Sequence, residues 1–113
     1  MQLKQLTLES GFEVAATAGD VQAAQMVLAS GSSTGGPDNR HRRSDQWLYV
    51  VSGSGVAVIE GEQHPLRAGT LLLIEHGEAH EIRVTGEQPL STVNFYSPPA
   101  YAGNGDRLPA GKD

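Results

Sequence analysis

Short apolar runs separated by glycine turns fill the middle of the chain. Tight turns of this kind need positive φ, which glycine adopts without steric cost. Gln46 to Ser52 reads QWLYVVS, rich in aromatic and β-branched side chains that suit a pleated surface. Gly53-Ser54-Gly55 turns the chain, and Val56 to Glu60 returns as VAVIE, which predicts a β-hairpin. Glu60-Gly61-Glu62 turns again into Gln63 to Arg67, whose Pro65 places it at a sheet edge. After Arg67-Ala68-Gly69, Thr70 to Ile74 is a continuous apolar run, expected to be a strand buried on both faces. Glu75-His76-Gly77-Glu78 turns once more. His80 to Thr85 then alternates, with His80, Ile82 and Val84 on one face. Leu90 to Tyr96 forms a last strand. Strands every 8–12 residues or so, with turn signals between them, predict an antiparallel sandwich or barrel.

Glycine is 14 of 113 residues, about 12 % against an average near 7 %. The length suits one domain, residues 1–113. Val21 to Ala29 is read as a strand, with helix as the competing assignment because Ala, Gln, Met and Leu favour it. Residues 1–30 are expected to supply edge strands, 31–96 the barrel core, and 97–113 an extended tail. Within that scheme, 30–40 is a loop by composition. In the tail, Tyr101 and Leu108 are expected to be anchored, Asn104-Gly105-Asp106 to turn, and Gly111 to Asp113 to be mobile.

The net charge of −5 argues against a nucleic-acid surface. The one dense basic run, Arg40, Arg42 and Arg43, is flanked by Asp38 and Asp45. With no cysteine, disulfides, thiolate zinc sites and thiol catalysis are excluded. No apolar run approaches the roughly 20 residues needed to span a bilayer. Met1 to Gln5 lacks a signal-type apolar core, so the expected address is cytoplasmic.

Four polar residues sit at one end of apolar stripes. Asn39 and His41 are two apart on an extended segment, Gln46 begins a strand continuing inward as Leu48 and Val50, and His80 begins another. The spacing of these residues resembles the two motifs of the cupin superfamily. The first, G-x5-H-x-H-x3–4-E-x6-G, aligns on Gly53, with Gln46 at the glutamate, His41 and Asn39 at the histidines and Ser33 at the opening glycine. The second, G-x5-P-x-G-x2-H-x3-N, matches Gly69, Gly77 and His80, while Glu75 replaces proline and Val84 asparagine.

The resemblance implies an all-β fold, a cupin-like double-stranded β-helix barrel of two antiparallel sheets with a pocket at its mouth. It also implies a metal site, with Asn39, His41, Gln46 and His80 as the ligand candidates. The ion would be a divalent transition metal (Zn, Fe, Ni, Cu or Mn), since imidazole suits such ions and not calcium or magnesium. Asn39 and Gln46 offer neutral amides where the family has charged or imidazole ligands, which weakens that site. Two readings stay open. One is a pocket that binds a small polar or anionic molecule, with metal-assisted chemistry of dioxygenase or isomerase type. The other is a metal-free ligand-binding or sensor module without catalysis. A homodimer is expected, because exposed sheet edges tend to be paired, with Val21, Met26, Val27 and Leu28 as candidates. Trp47 and Tyr49 are expected to pack on another sheet or a partner chain.

Overall fold

The described residues of this computed structural model, 1–36 and 38–113, form nine strands and a 3₁₀ turn at Pro109–Gly111. Pro37, part of the expected 30–40 loop, lies outside them. The strands are β1 (Gly11–Ala18), β2 (Val21–Leu28), β3 (Ser33–Gly35), β4 (Asp45–Ser52) and β5 (Ser54–Ile59). They continue as β6 (Glu62–Arg67), β7 (Leu71–Ile74), β8 (His80–Val84) and β9 (Leu90–Ser97). All pairings between strands are antiparallel. One sheet runs β1-β2-β9-β4-β7 and the other β3-β8-β5-β6. Among the described residues, no helix is long and apolar enough to cross a membrane.

Side-chain alternation decides which face of each strand enters the core. In β4, Gln46, Leu48 and Val50 are buried while Trp47 and Tyr49 are exposed. In β8, His80, Ile82 and Val84 are buried. Met26, Leu48, Val50 and Leu90 of the first sheet meet Ala57, Leu66, Ile82 and Val84 of the second in one apolar cluster. A smaller cluster of Ala24, Tyr96 and Ala100 lies apart from it. The polar inward residues Gln46 and His80 therefore begin strands whose later residues are apolar core.

Several elements differ from the sequence expectation. Ser33–Gly35, expected as loop, is a strand on the edge of β8, because the backbone of Glu81 to Arg83 offers it a ladder that composition does not reveal. β7 is not buried on both faces. It is an edge strand on β4, and Leu71 remains 60 % exposed because no layer covers that side. Its apolar run has the same appearance as a central strand, and only the topology separates the two. β2 lies between β1 and β9 and not at an edge, so Met26 and Val27 are buried. Among the described residues, no second sheet covers Trp47 and Tyr49. Gly111, expected to be mobile, is buried against Ala100.

The turns before and after β5 each depend on a glycine, for different reasons. Gly53 has φ +88°, and a Cβ there would meet the Pro89 carbonyl and, at 2.9 Å, Leu90 Cα. Gly61 has φ +81° but open space around it. We expect Gly61→Ala to cost about 1–2 kcal/mol, the left-handed strain of an L-residue. Gly53→Ala should cost more, because strain and backbone overlap add. Urea unfolding of the two variants checks this order; equal losses would contradict it.

Candidate functional site

Asn39 and His41 reach the cavity because the backbone of 39–41 is tied to the turn before β8. The Asn39 carbonyl accepts from His80 N at 2.7 Å, and the His41 carbonyl accepts from Gly77 N at 2.7 Å. Carboxylates hold that turn from outside. Asp45 accepts from His76 N at 2.9 Å and from its ring at 2.7 Å. These contacts, the backbone one first, keep the Asp45 carboxyl below the usual carboxylate range. Glu78 accepts from Glu75 N, and Glu60 from Ala79 N. Gly35, with φ +78°, leaves room for Asn39, whose Nδ2 would lie 2.8 Å from a Cβ there.

Asn39, His41, Gln46 and His80 all line one cavity of about 180 Å³. The two imidazole rings are 5.0 Å apart, centre to centre. Met26, Leu28 and Ile82 form its apolar floor, and Phe12, Tyr96, Tyr101 and Arg107 its wall. Burial holds the phenols of Tyr96 and Tyr101 neutral by raising both above the usual range.

Hydrogen-bond polarity at the site is dictated from two backbone carbonyls. Thr92 Oγ1 donates to the Met26 carbonyl at 2.8 Å, so it must accept from Asn94 Nδ2 at 2.9 Å. Asn94 Oδ1 then accepts from Gln46 Nε2 at 2.8 Å, which turns Gln46 Oε1 toward His41 Nε2 at 3.2 Å. On its other side, His41 Nδ1 donates to the Gly111 carbonyl at 2.9 Å. A neutral His41 has only that one proton. Its Nε2 lone pair therefore faces the Gln46 oxygen, acceptor against acceptor.

His80 is arranged differently. Its Nδ1 donates to the Glu78 carbonyl at 3.2 Å, and its Nε2 accepts from Asn39 Nδ2 at 3.2 Å. Arg107 fixes the Asn39 amide in that sense by donating Nη2 to Asn39 Oδ1 at 2.7 Å. Turning the amide would set two donors against each other. Asn39, a ligand candidate by motif position, thus presents a donor to the cavity and not an oxygen.

Asn94, Tyr96, Tyr101 and Arg107 are site residues that the motif spacing does not mark. The alternation of Thr92, Asn94 and Tyr96 in the last strand was a usable signal, since polar groups there share the inward face. For Arg107 the sequence carried none. It arrives through the tail, where Tyr101 and Arg107 form an antiparallel bridge around Asn104 to Asp106. Tyr101 packs on Phe12 with ring centres 4.6 Å apart. Beyond that hairpin, Ala110 and Lys112 carbonyls accept from the backbone of Arg42, Arg43 and Ser44.

The profile of the cupin family, described as "Cupin domain", matches residues 24–96. The chain belongs to the cupin family. It is 34 % identical over 71 residues to the tetracenomycin polyketide synthase protein TcmJ of Streptomyces glaucescens, covering 63 % of this chain and 46 % of that protein. It is 34 % identical over 67 residues to an oxalate-binding protein of Thermotoga maritima, covering 59 % and 54 %. The matches span about half the length of these relatives. Among solved structures, KdgF from Halomonas sp. superposes with a TM-score of 0.70 at 28 % identity, over 78 % of this chain and 77 % of that one. Arg107 lies beyond the family match.

Burial, ahead of the other influences, pushes both cavity imidazoles below their ordinary value of about 6.5. The unfolded chain takes up those protons near 6.5 while the folded one resists them. Their contribution to stability is present above that pH and lost as pH falls below it. Chelator-treated protein should therefore melt at progressively lower temperature from pH 7 to pH 5. The decline should be shallower in a His41→Gln, His80→Gln double variant. A melting temperature that rises over this range in the parent protein would refute the argument.

Proposed function

We propose that this cupin binds a small anionic molecule in the cavity, together with a divalent transition metal ion held by His41, His80 and Gln46. The observation that carries the reading is the 3.2 Å contact between His41 Nε2 and Gln46 Oε1, which in the neutral tautomer protonated on Nδ1 sets two lone pairs against each other. A cation beside both atoms resolves that opposition. Ion-to-ligand bonds of about 2.1 Å place neighbouring ligand atoms roughly 3.0–3.4 Å apart, so the separation suits such an ion. Both imidazoles already donate through Nδ1 to backbone carbonyls, which leaves the His41 Nε2 lone pair for the cavity, while His80 Nε2 would exchange its Asn39 Nδ2 donor for the ion. Among the described residues no three His, Cys, Asp or Glu side chains group at metal-binding distance. The ligand atoms would all be neutral, and Asn39 is withdrawn from the set by Arg107. When bound, the ion would act as a Lewis acid on an oxygen of the ligand.

An anion is supported by the lining. Arg107 is the one formally charged side chain among the described lining residues, and no carboxylate stands there. The cavity is smaller than the roughly 300–1,000 Å³ that holds drug-sized ligands. The name of the oxalate-binding relative accords with a small anionic ligand. Protein purified without added metal should carry about one first-row transition ion per chain and little calcium or magnesium. His80→Ala should remove it while the fold persists by circular dichroism. Unchanged metal content in that variant would overturn the metal reading.

A homodimer is proposed on a surface different from the edges considered above. Trp47 stands opposite Leu73 and Phe95, and Tyr49 opposite Leu71, on the outer face of β4, β7 and β9. All five side chains are exposed. Soluble monomers seldom leave so much contiguous apolar surface open, and a two-fold partner offers the same face in return. Light scattering at micromolar concentration should give twice the chain mass. A Tyr49→Lys, Leu73→Lys double variant should give the single chain mass. A monomeric parent protein would reject the proposal.

A further inference from the structure

The tail does more than close the wall of the cavity. Arg107 is placed by backbone, through its bridge to Tyr101 and the turn in which Ala102 N donates to the Asp106 carbonyl at 2.7 Å. Its guanidinium lies beside the Tyr101 phenol and donates from its two Nη atoms to two further partners. Nη2 donates inward to Asn39 Oδ1 at 2.7 Å, and Nη1 donates outward to Asp113 Oδ1 at 3.2 Å. The same Asp113 oxygen accepts from Arg40 N at 3.3 Å. Arg107 lines the cavity, whereas Asp113 stands outside it at the rim. Both side chains keep solvent access, 38 % for Arg107 and 59 % for Asp113, so the pair is open to exchange.

An arginine offers five N–H donors in a planar fork that matches a carboxylate. Here that fork already holds a carboxylate, supplied by the protein, at the entrance of a cavity with no acidic lining residue. An exposed ion pair of this kind is weak and easily exchanged for a better-enclosed partner. Building on the anion-binding reading above, we propose that Arg107 is the carboxylate-recognising residue of the cavity. We propose further that the Asp113 side chain is the internal carboxylate a ligand displaces from it. The ligand class is then a small carboxylic acid anion. One carboxylate meets Arg107 and the remainder reaches toward His41 and His80. Exchange of one carboxylate for another needs no rearrangement of Asn39, which keeps Nη2 throughout.

Titration calorimetry on the full chain, with malonate, malonamide and inorganic phosphate as probes, tests this. Malonate should bind, and Arg107→Met should weaken it about ten- to a hundredfold, the worth of a hydrogen bond to a charged group. Arg107→Lys should recover part of the loss, since an ammonium keeps the charge but not the fork. Asp113→Asn should tighten malonate by up to about fivefold, the worth of an exposed ion pair. The same change made on Arg107→Met should have no effect. Malonamide should respond to neither substitution. Thermal melting of each variant confirms that the fold persists.

Malonate affinity untouched by Arg107→Met would overturn the assignment of Arg107. Affinity unchanged or weakened by Asp113→Asn would overturn the displacement. Phosphate binding more tightly than malonate would overturn the ligand class. If the parent protein holds its metal but binds no malonate, this inference fails while the metal site stands. If malonate binds through Arg107 without any metal, the reverse holds.

Discussion

Buried amide and imidazole groups need partners, and around His41 and Gln46 the partners are chosen by two backbone carbonyls distant in sequence. The Met26 carbonyl sets the hydroxyl of Thr92, which sets the amide of Asn94, which sets that of Gln46. The Gly111 carbonyl sets the tautomer of His41. Neither carbonyl can reverse its role, because an oxygen only accepts. The two chains of bonds meet at His41 Nε2 and Gln46 Oε1 with no hydrogen to share. A core that left such a contact unresolved would lose stability. The cation proposed above would resolve that opposition.

The second half of the cavity follows the same logic with opposite result. Arg107 donates to Asn39, Asn39 donates to His80, and His80 donates to the Glu78 carbonyl. Every contact there has its proton. The site thus has one acceptor-rich side and one side capped by a cationic side chain. A cation on the first and an anion reaching the second would offset each other's charge. Burial first, and the Arg107 charge after it, depress the protonation of both imidazoles. An anion between the two would relieve that repulsion.

The tail ties these halves together. Gly111 approaches Ala100 so closely that a Cβ would meet the Ala100 carbonyl, and its own carbonyl is the acceptor for His41. Ala110 and Lys112 pair with the backbone of 42–44. The segment expected to be loose at its end is therefore part of the site's framework. Composition rich in glycine and proline suggested an irregular tail. It could not report that the irregular backbone has hydrogen-bond partners 70 residues earlier.

Much of the cavity was legible in the sequence because strand alternation has a period of two. Once Leu48, Val50, Ile82 and Val84 are inward, Gln46 and His80 must be inward as well. Asn94 was legible on the same ground between Thr92 and Tyr96. The turn spacing sufficed for an all-β chain of antiparallel sheets, since it depends only on neighbours in sequence. Sheet order did not follow from it. β7 and a central strand present the same apolar run, and β3 acquires its strand character from β8. The direction in which each amide points was also undetermined, because it is inherited from carbonyls distant in the chain. Arg107 enters the site only through the fold of the tail over β1 and β9. What the sequence determined was the set of inward-facing side chains, through local periodicity. What the tertiary structure decided was which of them are donors, which are acceptors, and which charge stands beside them, because those properties belong to contacts between distant segments.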